Sequence, residues 1–251
     1  YRVSFFGGGL DHQNWFSSNK TKVLSCSIDK YSYISLRDLP SYFNYKYRLR
    51  YYLREEVNYI KQIKHPVIKK ALTFLKINRG IDLVHSGDIP AMSGVGTSSA
   101  FTVGLLKALI KLNNKNISKK KLALKSIYLE QKLLKENVGW QDQIASTYGG
   151  LNQINFYKND FKVIPLNKNK DFISDFTKSM YLCYTGIPRN SNNIAKTQIS
   201  SLKSKKQTMK MMSEITNEAS IIFRAKNFDY MNFGKLLHEY WFLKKELNPN
   251  A

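Results

Sequence analysis

Acidic residues are scarce in this chain: eighteen Asp and Glu stand against forty Lys and Arg over 251 residues, a formal net charge of +22 at pH 7. Cysteine is scarcer still, with only Cys26 and Cys183. Both fall in apolar, strand-like runs and read as buried thiols. A disulfide framework is excluded, which fits a reducing cytoplasm. The four histidines, His12, His65, His85 and His238, are scattered without metal-ligand spacing, so no zinc or iron site is expected. No run approaches the roughly 18 apolar residues that span a bilayer, and no signal peptide opens the chain, so no membrane partner is expected. Tyr1 stands first rather than a methionine, from which a few upstream residues are expected.

What is present suits a globular protein. The hydrophobic fraction is 43%, and 251 residues suffice for one large or two modest domains with real cores. The basic excess raises the question of nucleic acid. The lysines are spread along the whole chain, and the denser groups, Lys119 to Lys121 and Lys203 to Lys206, fall on helix starts or polar segments. A nucleic-acid binder more often gathers its charge into one stripe interleaved with aromatics. Most of the charge therefore reads as solvated surface with some attraction for anionic substrates, and nucleic acid is not expected as a partner.

The order of elements is that of an α+β protein, not a regular βαβ alternation. Arg2 to Phe6 reads as a strand running into Gly7-Gly8-Gly9. Val23 to Ser27 and Tyr31 to Leu36 read as a hairpin turning at Ile28 to Lys30, and Leu39 to Arg50 as a loop. Helical spacing extends from Tyr52 to Ile63 and again from Pro66 to Leu75, where Pro66 suits a first turn. Ile81 to His85 is a strand, Ala100 to Leu112 an apolar helix, and Ser118 a cap for the next helix, which ends near Asn137. A short helix closed by Gly149 and Gly150 precedes a hairpin of Leu151 to Phe156 and Phe161 to Leu166. Tyr181 to Tyr184 reads as a strand, and helices are expected at Asn192 to Ser200, Thr208 to Ala225 and Tyr230 to Leu247.

The stretch from Gly87 to Leu112 organises the rest. A strand end becomes a small-residue loop, Pro90-Ala-Met-Ser-Gly-Val-Gly-Thr-Ser-Ser-Ala100, and runs straight into an apolar helix. Gly94 and Gly96 have no Cβ to hold a phosphate away from the backbone. Thr97, Ser98 and Ser99 place hydroxyls where the helix dipole and its unpaired N–H groups favour an anion. A nucleotide phosphate site and a plain strand–turn–helix with Ser/Thr caps both fit. The loop is neither G-x-x-x-x-G-K-[ST] nor G-x-G-x-x-G.

Three carboxylates complete the picture. Glu130 has Leu133 and Leu134 at i+3 and i+4, which suits a carboxylate near an apolar face as well as an ordinary solvated glutamate. Asp142, on a turn after Gly139, fits a helix N-cap or a functional carboxylate. Asp11, after three glycines, fits a ligand carboxylate or an Asx-turn.

Together these pieces resemble the galactokinase, homoserine kinase, mevalonate kinase and phosphomevalonate kinase (GHMP) superfamily, over essentially the whole chain. The loop Pro90 to Ala100 resembles its P-x-x-x-G-L-G-S-S-A motif, and Arg2-Val-Ser-Phe-Phe-Gly-Gly-Gly-Leu-Asp-His12 its amino-terminal substrate motif. The triple glycine with x-D, the G-x-Q-D-Q of Gly139 to Gln143 and the Y-T-G-x-x-R of Tyr184 to Arg189 are most similar to the sugar-1-kinase branch. The resemblance implies a ribosomal-protein-S5-like nucleotide-binding domain over 1–166 and part of a ferredoxin-like domain over 167–251. It implies ATP and Mg²⁺ as cofactors and phosphorylation of the anomeric hydroxyl of a sugar or sugar phosphate. Heptose 7-phosphate is the preferred substrate, and fucose- or galactose-type kinases, or a non-catalytic binder on the same fold, are the alternatives. Carried over residue by residue, Ser93, Gly94, Val95, Gly96, Thr97 and Ser98 would hold ATP, and Ser98 with Glu130 the Mg²⁺. Asp142 would be the catalytic aspartate with Arg2 assisting, and Gly8, Gly9, Asp11 and Arg189 would meet the sugar. Leu10 stands where the motif usually has threonine, and the family's third glycine-rich motif is absent. A fragment short of several tens of residues is therefore expected, with room left for a homodimer.

Overall fold

A computed structural model of the chain describes residues 1–166, 168–183, 186 and 205–247. Its contacts divide into two compact units. One comprises Tyr1, Ile28–Val138 and Asp142–Tyr148, and the other Arg2–Ser27, Gly139–Gln141 and Gly149–Ala251.

The first unit is built on a mixed sheet of order β3-β6-β4-β5, with β3 at Ser32–Asp38, β4 at Tyr47–Arg50, β5 at Arg54–Val57 and β6 at Ile81–Gly87. β3 runs antiparallel to β6, β4 parallel to β6 and β5 antiparallel to β4. A parallel pair needs a crossover, and α2 (Pro66–Phe74), started by Pro66, lies on the route from β5 to β6. Ile68 and Leu72 of α2 share a core with Leu83 of β6 and with Leu105, Leu106 and Leu109 of α3 (Thr97–Leu112). The unit also holds α4 (Lys119–Tyr128), capped by Ser118 Oγ accepting from Lys121 N as its sequence implies, and most of α5 (Gln141–Tyr148).

Two expectations fail here. The supposed loop from Leu39 to Arg50 contains β4, where Tyr47 and Leu49 are fully buried. The supposed helix from Tyr52 to Ile63 is instead β5 followed by a short 3₁₀ turn, Ile60–Gln62. Buried Glu55 fixes that course: it accepts hydrogen bonds from Tyr51 Oη at 2.6 Å, Lys64 N at 2.6 Å and His65 N at 3.2 Å. Tertiary bonds thus override a spacing that reads as helical.

The second unit carries an antiparallel sheet of order β1-β2-β7-β8: β1 Arg2–Phe6, β2 Thr21–Ser27, β7 Leu151–Tyr157 and β8 Asp160–Pro165. With it go α1 (Gln13–Phe16), α6 (Lys170–Lys178), α7 (Lys206–Arg224) and α8 (Tyr230–Leu247). Its core is rich in aromatics, with Phe5 edge-on to Phe176 at 5.6 Å and Phe223 edge-on to Phe233 at 5.0 Å.

The hairpin expected from Val23 to Leu36 does not form. Both edges of β2 are taken, by β1 and β7, so β3 pairs with β6 in the other sheet. The β7–β8 hairpin does form, with Lys158 at φ 52° in its turn. Helix α6, which sequence reading passed over, is capped by Asn169 accepting from Phe172 N at 2.9 Å and buries Phe176. Tyr181, Leu182 and Cys183 form no strand, and Tyr184 lies outside the described residues, as does the helix expected at Asn192 to Ser200. Cys183 is exposed and Cys26 half-buried, so neither is the fully buried thiol its apolar neighbours suggest; both are free. Among the described residues, no helix is long and apolar enough to cross a membrane.

Candidate functional site

The loop joining β6 to α3 alternates into left-handed backbone, with Met92 at φ 63°, Gly94 at 81° and Gly96 at 75°. Repeated excursions of this kind turn successive N–H groups toward one side and make a concavity suited to an anion. A methyl group on Gly94 would meet nothing within 4 Å, so its outer face is open. Gly96 is the N-cap of α3 and brings no capping side chain, and the helix has no acidic residue in its first turn. The positive end of the dipole is left to whatever docks there. Val95 is buried and anchors the loop, while Ser93 Oγ is buried without a partner and Thr97 is half-buried. Ser98 is exposed, and its carbonyl accepts from Thr102 Oγ1 at 3.2 Å.

Glu130 decides what stands beside this loop. It lies on a single π-helical turn, Leu129–Leu133, continuing α4, a local widening that often marks functional positions. It is 1% exposed. Its Oε2 accepts from Ser99 Oγ at 3.0 Å and from Gln143 Nε2, while Oε1 is buried with no partner. Burial is the main influence on the carboxyl and pushes its pKa up to about 7, against the opposing influence of the neighbouring Thr102, Gln143 and Ser99 side chains. Ser99 and Thr102 sit at i and i+3 on α3, so the loop helix and the π-turn are joined through this carboxylate.

A pH dependence follows for metal-free protein. Glu130 ionises near 4.5 when unfolded and near 7 when folded, so the unfolded state loses its proton first as pH rises. The neutral form makes no such difference below about 4.5, and a destabilising contribution develops between about 4.5 and 7 and is complete above that. Glu130→Gln, uncharged throughout, should flatten this part of the profile. Urea midpoints at pH 5 and pH 8 in a chelator would show it, and equal slopes for wild type and variant would refute the assignment.

Whether a divalent cation and a nucleotide fit can be tested on these atoms. Mg²⁺ takes hard oxygen ligands, commonly one or two from protein with the rest from phosphate and water. The unpartnered Oε1 of Glu130 is such an oxygen, and Gln143 Oε1 is another buried oxygen without a partner. Among the described residues no three His, Cys, Asp or Glu side chains gather, so an all-protein cage is not on offer. The open loop before α3 suits phosphate. The residues fit both groups.

Asp142 is half-buried in the first turn of α5, one residue before Gln143, in the same unit as the loop and Glu130. The other predicted residues belong to the second unit. Asp11 is 1% exposed: Oδ1 accepts from Gly9 N at 3.0 Å and Gln141 Nε2 at 3.2 Å, and Oδ2 from Gln141 N at 3.0 Å. Its carbonyl accepts from Trp140 N at 3.1 Å. Asp11 thus clamps the Gly139–Gln141 segment to the triple-glycine turn, with Gly8 and Gly9 buried beside it. Arg2 is half-buried at the start of β1. Arg189, and all of Tyr184 to Arg189 except Gly186, lies outside the described residues.

Known proteins place this arrangement. The family described as GHMP kinases N terminal domain matches residues 58–150. D-glycero-alpha-D-manno-heptose 7-phosphate kinase of Campylobacter jejuni is 26% identical over 261 residues, covering 97% of this chain and 75% of that protein. Residues 58–150 carry a GHMP kinase N-terminal domain, and the chain is a kinase. The bifunctional fucokinase/GDP-fucose pyrophosphorylase of Arabidopsis thaliana is 22% identical across 99% of the chain and 26% of its own length. The crystal structure of a D-glycero-D-manno-heptose 1-phosphate kinase from Bacteroides thetaiotaomicron superposes with a TM-score of 0.79 at 23% identity, covering 98% of this chain and 77% of that one. That likeness establishes the GHMP kinase fold. Kinases of this group use ATP, for which the loop before α3 is the matching feature.

Sequence reasoning named Ser98 and Glu130 as metal ligands, Ser99 only as a hydroxyl at the helix start and Gln143 only within a motif. It did not single out Thr102 or connect any of these three with the Glu130 carboxylate. A signal exists for two of them. Ser99 and Thr102 interrupt, at helical spacing, an otherwise apolar buried stripe of α3, and buried polar groups on such a stripe need a partner.

Proposed function

We propose that this kinase transfers the γ-phosphoryl group of ATP, with Mg²⁺, to the anomeric hydroxyl of a sugar phosphate. The preferred substrate is D-glycero-α-D-manno-heptose 7-phosphate, converted in the cytoplasm to the 1,7-bisphosphate for surface polysaccharide precursors. The observation that carries the reaction class is the buried Glu130, bare at one oxygen and bonded through Ser99 to the first turn of the loop helix. The likeness to the Campylobacter jejuni kinase supports the heptose. In this reading residues 1–166 are the nucleotide-binding domain and 167–251 the beginning of the second, and the protein works as a monomer or homodimer.

Phosphoryl transfer asks a protein for alignment and charge neutralisation and little covalent work. Ser93 to Ser98 receive the phosphates on backbone N–H groups and hydroxyls, and Ser98 and Glu130 hold the metal. Bound Mg²⁺ supplies charge stabilisation for the transferred group. Asp142 orients the anomeric hydroxyl and takes its proton. Arg2 assists by offering positive charge to the transferred group, and Gly8, Gly9, Asp11 and Arg189 meet the sugar. Asp11 acts chiefly by holding the turn, since its carboxylate already has three protein donors.

The test is a coupled ADP-release assay on full-length protein with heptose 7-phosphate, fucose, galactose and mannose. Turnover on heptose 7-phosphate above the others is expected. Turnover on fucose instead would favour the second reading, a fucokinase, which the Arabidopsis thaliana likeness supports. No ADP release with any sugar would overturn the kinase assignment.

A further inference from the structure

Three polar side chains from separate elements of the second unit converge on Gly8. A methyl group placed there would lie 3.3 Å from Lys244 Nζ of α8, 3.4 Å from Gln141 Nε2 at the start of α5 and 3.6 Å from Ser4 Oγ of β1. Two of these side chains are incomplete. Ser4 Oγ and Gln141 Oε1 are buried atoms with no hydrogen-bond partner, and Gln141 is only 9% exposed. Its amide nitrogen is committed to Asp11, which fixes the direction of the bare oxygen. Unpaired polar atoms of this kind are rare in folded proteins and ask for a reason.

The backbone beside them is held firmly. Gly7 N donates to Tyr240 Oη at 2.8 Å, and Tyr240 Oη donates to the Gly8 carbonyl at 3.2 Å. Tyr240 and Lys244 are four residues apart on α8 and share a face. The tyrosine that fastens the glycine turn therefore stands on the same face of α8 as the lysine whose ammonium lies beside Gly8. A cation, a hydroxyl and a bare amide oxygen make a set that suits a ligand carrying both an anionic group and hydroxyls.

We propose that Ser4, Gln141 and Lys244, grouped around Gly8, form the subsite for the phosphate-bearing end of the sugar substrate, and that Lys244 sets the preference for phosphorylated over neutral sugars. Lys244 and Ser4 meet the phosphate, and Gln141 Oε1 accepts from a neighbouring hydroxyl. This rests on the sugar-kinase reading above and adds residues that the motifs did not single out. Glycine at position 8 belongs to the same design, because any side chain would occupy the space these groups share.

The experiment pairs turnover with direct binding on full-length protein. Wild type, Lys244→Gln, Ser4→Ala and the control Lys245→Gln are compared. Lys245 carries the same charge but lies 4.4 Å over the Trp241 ring. Heptose 7-phosphate and unphosphorylated heptose are titrated calorimetrically without ATP and then assayed with it. Lys244→Gln should weaken binding of the sugar phosphate and raise its KM by about tenfold or more, as loss of a charge-assisted contact does. The KM for ATP should stay within about twofold, and Lys245→Gln should behave as wild type. Ser4→Ala should show a smaller loss in the same direction. Equal affinity of wild type and Lys244→Gln for the sugar phosphate would overturn the subsite. Wild-type turnover of neutral sugars alone would also overturn it while leaving the kinase reading intact. Binding of heptose 7-phosphate without turnover, weakened in Lys244→Gln, would uphold the subsite and reject the kinase.

Discussion

Asp142→Asn is expected to lower kcat on the sugar substrate on the order of a thousandfold, within the 10²–10⁴ range that positioned acid–base groups contribute. The substitution preserves shape and removes the charge and the capacity to accept a proton. Asp142 lies in the first turn of α5, where a negative charge also interacts favourably with the helix dipole, so a stability loss of about 0.3–1 kcal/mol is expected beside the catalytic one. The two effects are separable. ATP affinity should hold, because the loop before α3 is untouched, and the thermal midpoint should move by only a few degrees. A variant that keeps more than about a tenth of wild-type kcat would remove Asp142 from the chemistry, since general acid–base contributions run to 10² at least. If kcat and folding fell together, the residue would be a helix-start residue above all.

Much of this was legible in the residues, and the part that was not has a common cause. The loop from Pro90 to Ala100 announces itself locally: small residues, glycine at two left-handed positions and an apolar helix behind it. The β7–β8 hairpin and helices α2, α3 and α8 follow from short-range patterns in the same way. The failures come from pairing at a distance. Nothing near residue 28 says that both edges of β2 are occupied by strands as remote as β7, so two adjacent strands look like a hairpin when they are not. Arg54-Glu-Glu-Val57 looks helical until Glu55 is seen to be buried under backbone donors from Lys64 and His65. At the site the same rule holds. Glu130 can be nominated from sequence, but its burial is a tertiary fact, and so is its bond to Ser99, thirty-one residues away. Asp11 and Gly139 were each visible, while the reason they occur together was not.

That reason supports a severe stability effect. Gly139→Ala should destabilise the fold by about 3–5 kcal/mol, in the exceptional tail of single substitutions. Gly139 is not held by its backbone angle. A Cβ there would stand 1.9 Å from Asp11 Oδ2, 2.5 Å from its Cγ and 2.8 Å from Oδ1. The carboxylate cannot step aside cheaply. It is 1% exposed and accepts from Gly9 N, Gln141 N and Gln141 Nε2, and bonds to a charged group contribute about 1.5–3 kcal/mol each. Relief of the overlap must break at least one of these, and the Trp140 N bond to the Asp11 carbonyl with them if the backbone moves. Denaturant midpoints would measure the loss, and a double-mutant cycle would assign it. Asp11→Ala alone should be costly because Gln141 loses its partner, but in that background Gly139→Ala should cost far less, since the atoms it collides with are gone. Strong coupling, at the upper end of the 0.5–3 kcal/mol usual for residues in contact, is therefore expected. Additive losses would mean that the two residues do not meet, and with that the clamp joining the triple-glycine turn to the segment before Asp142 would be lost as an explanation for both.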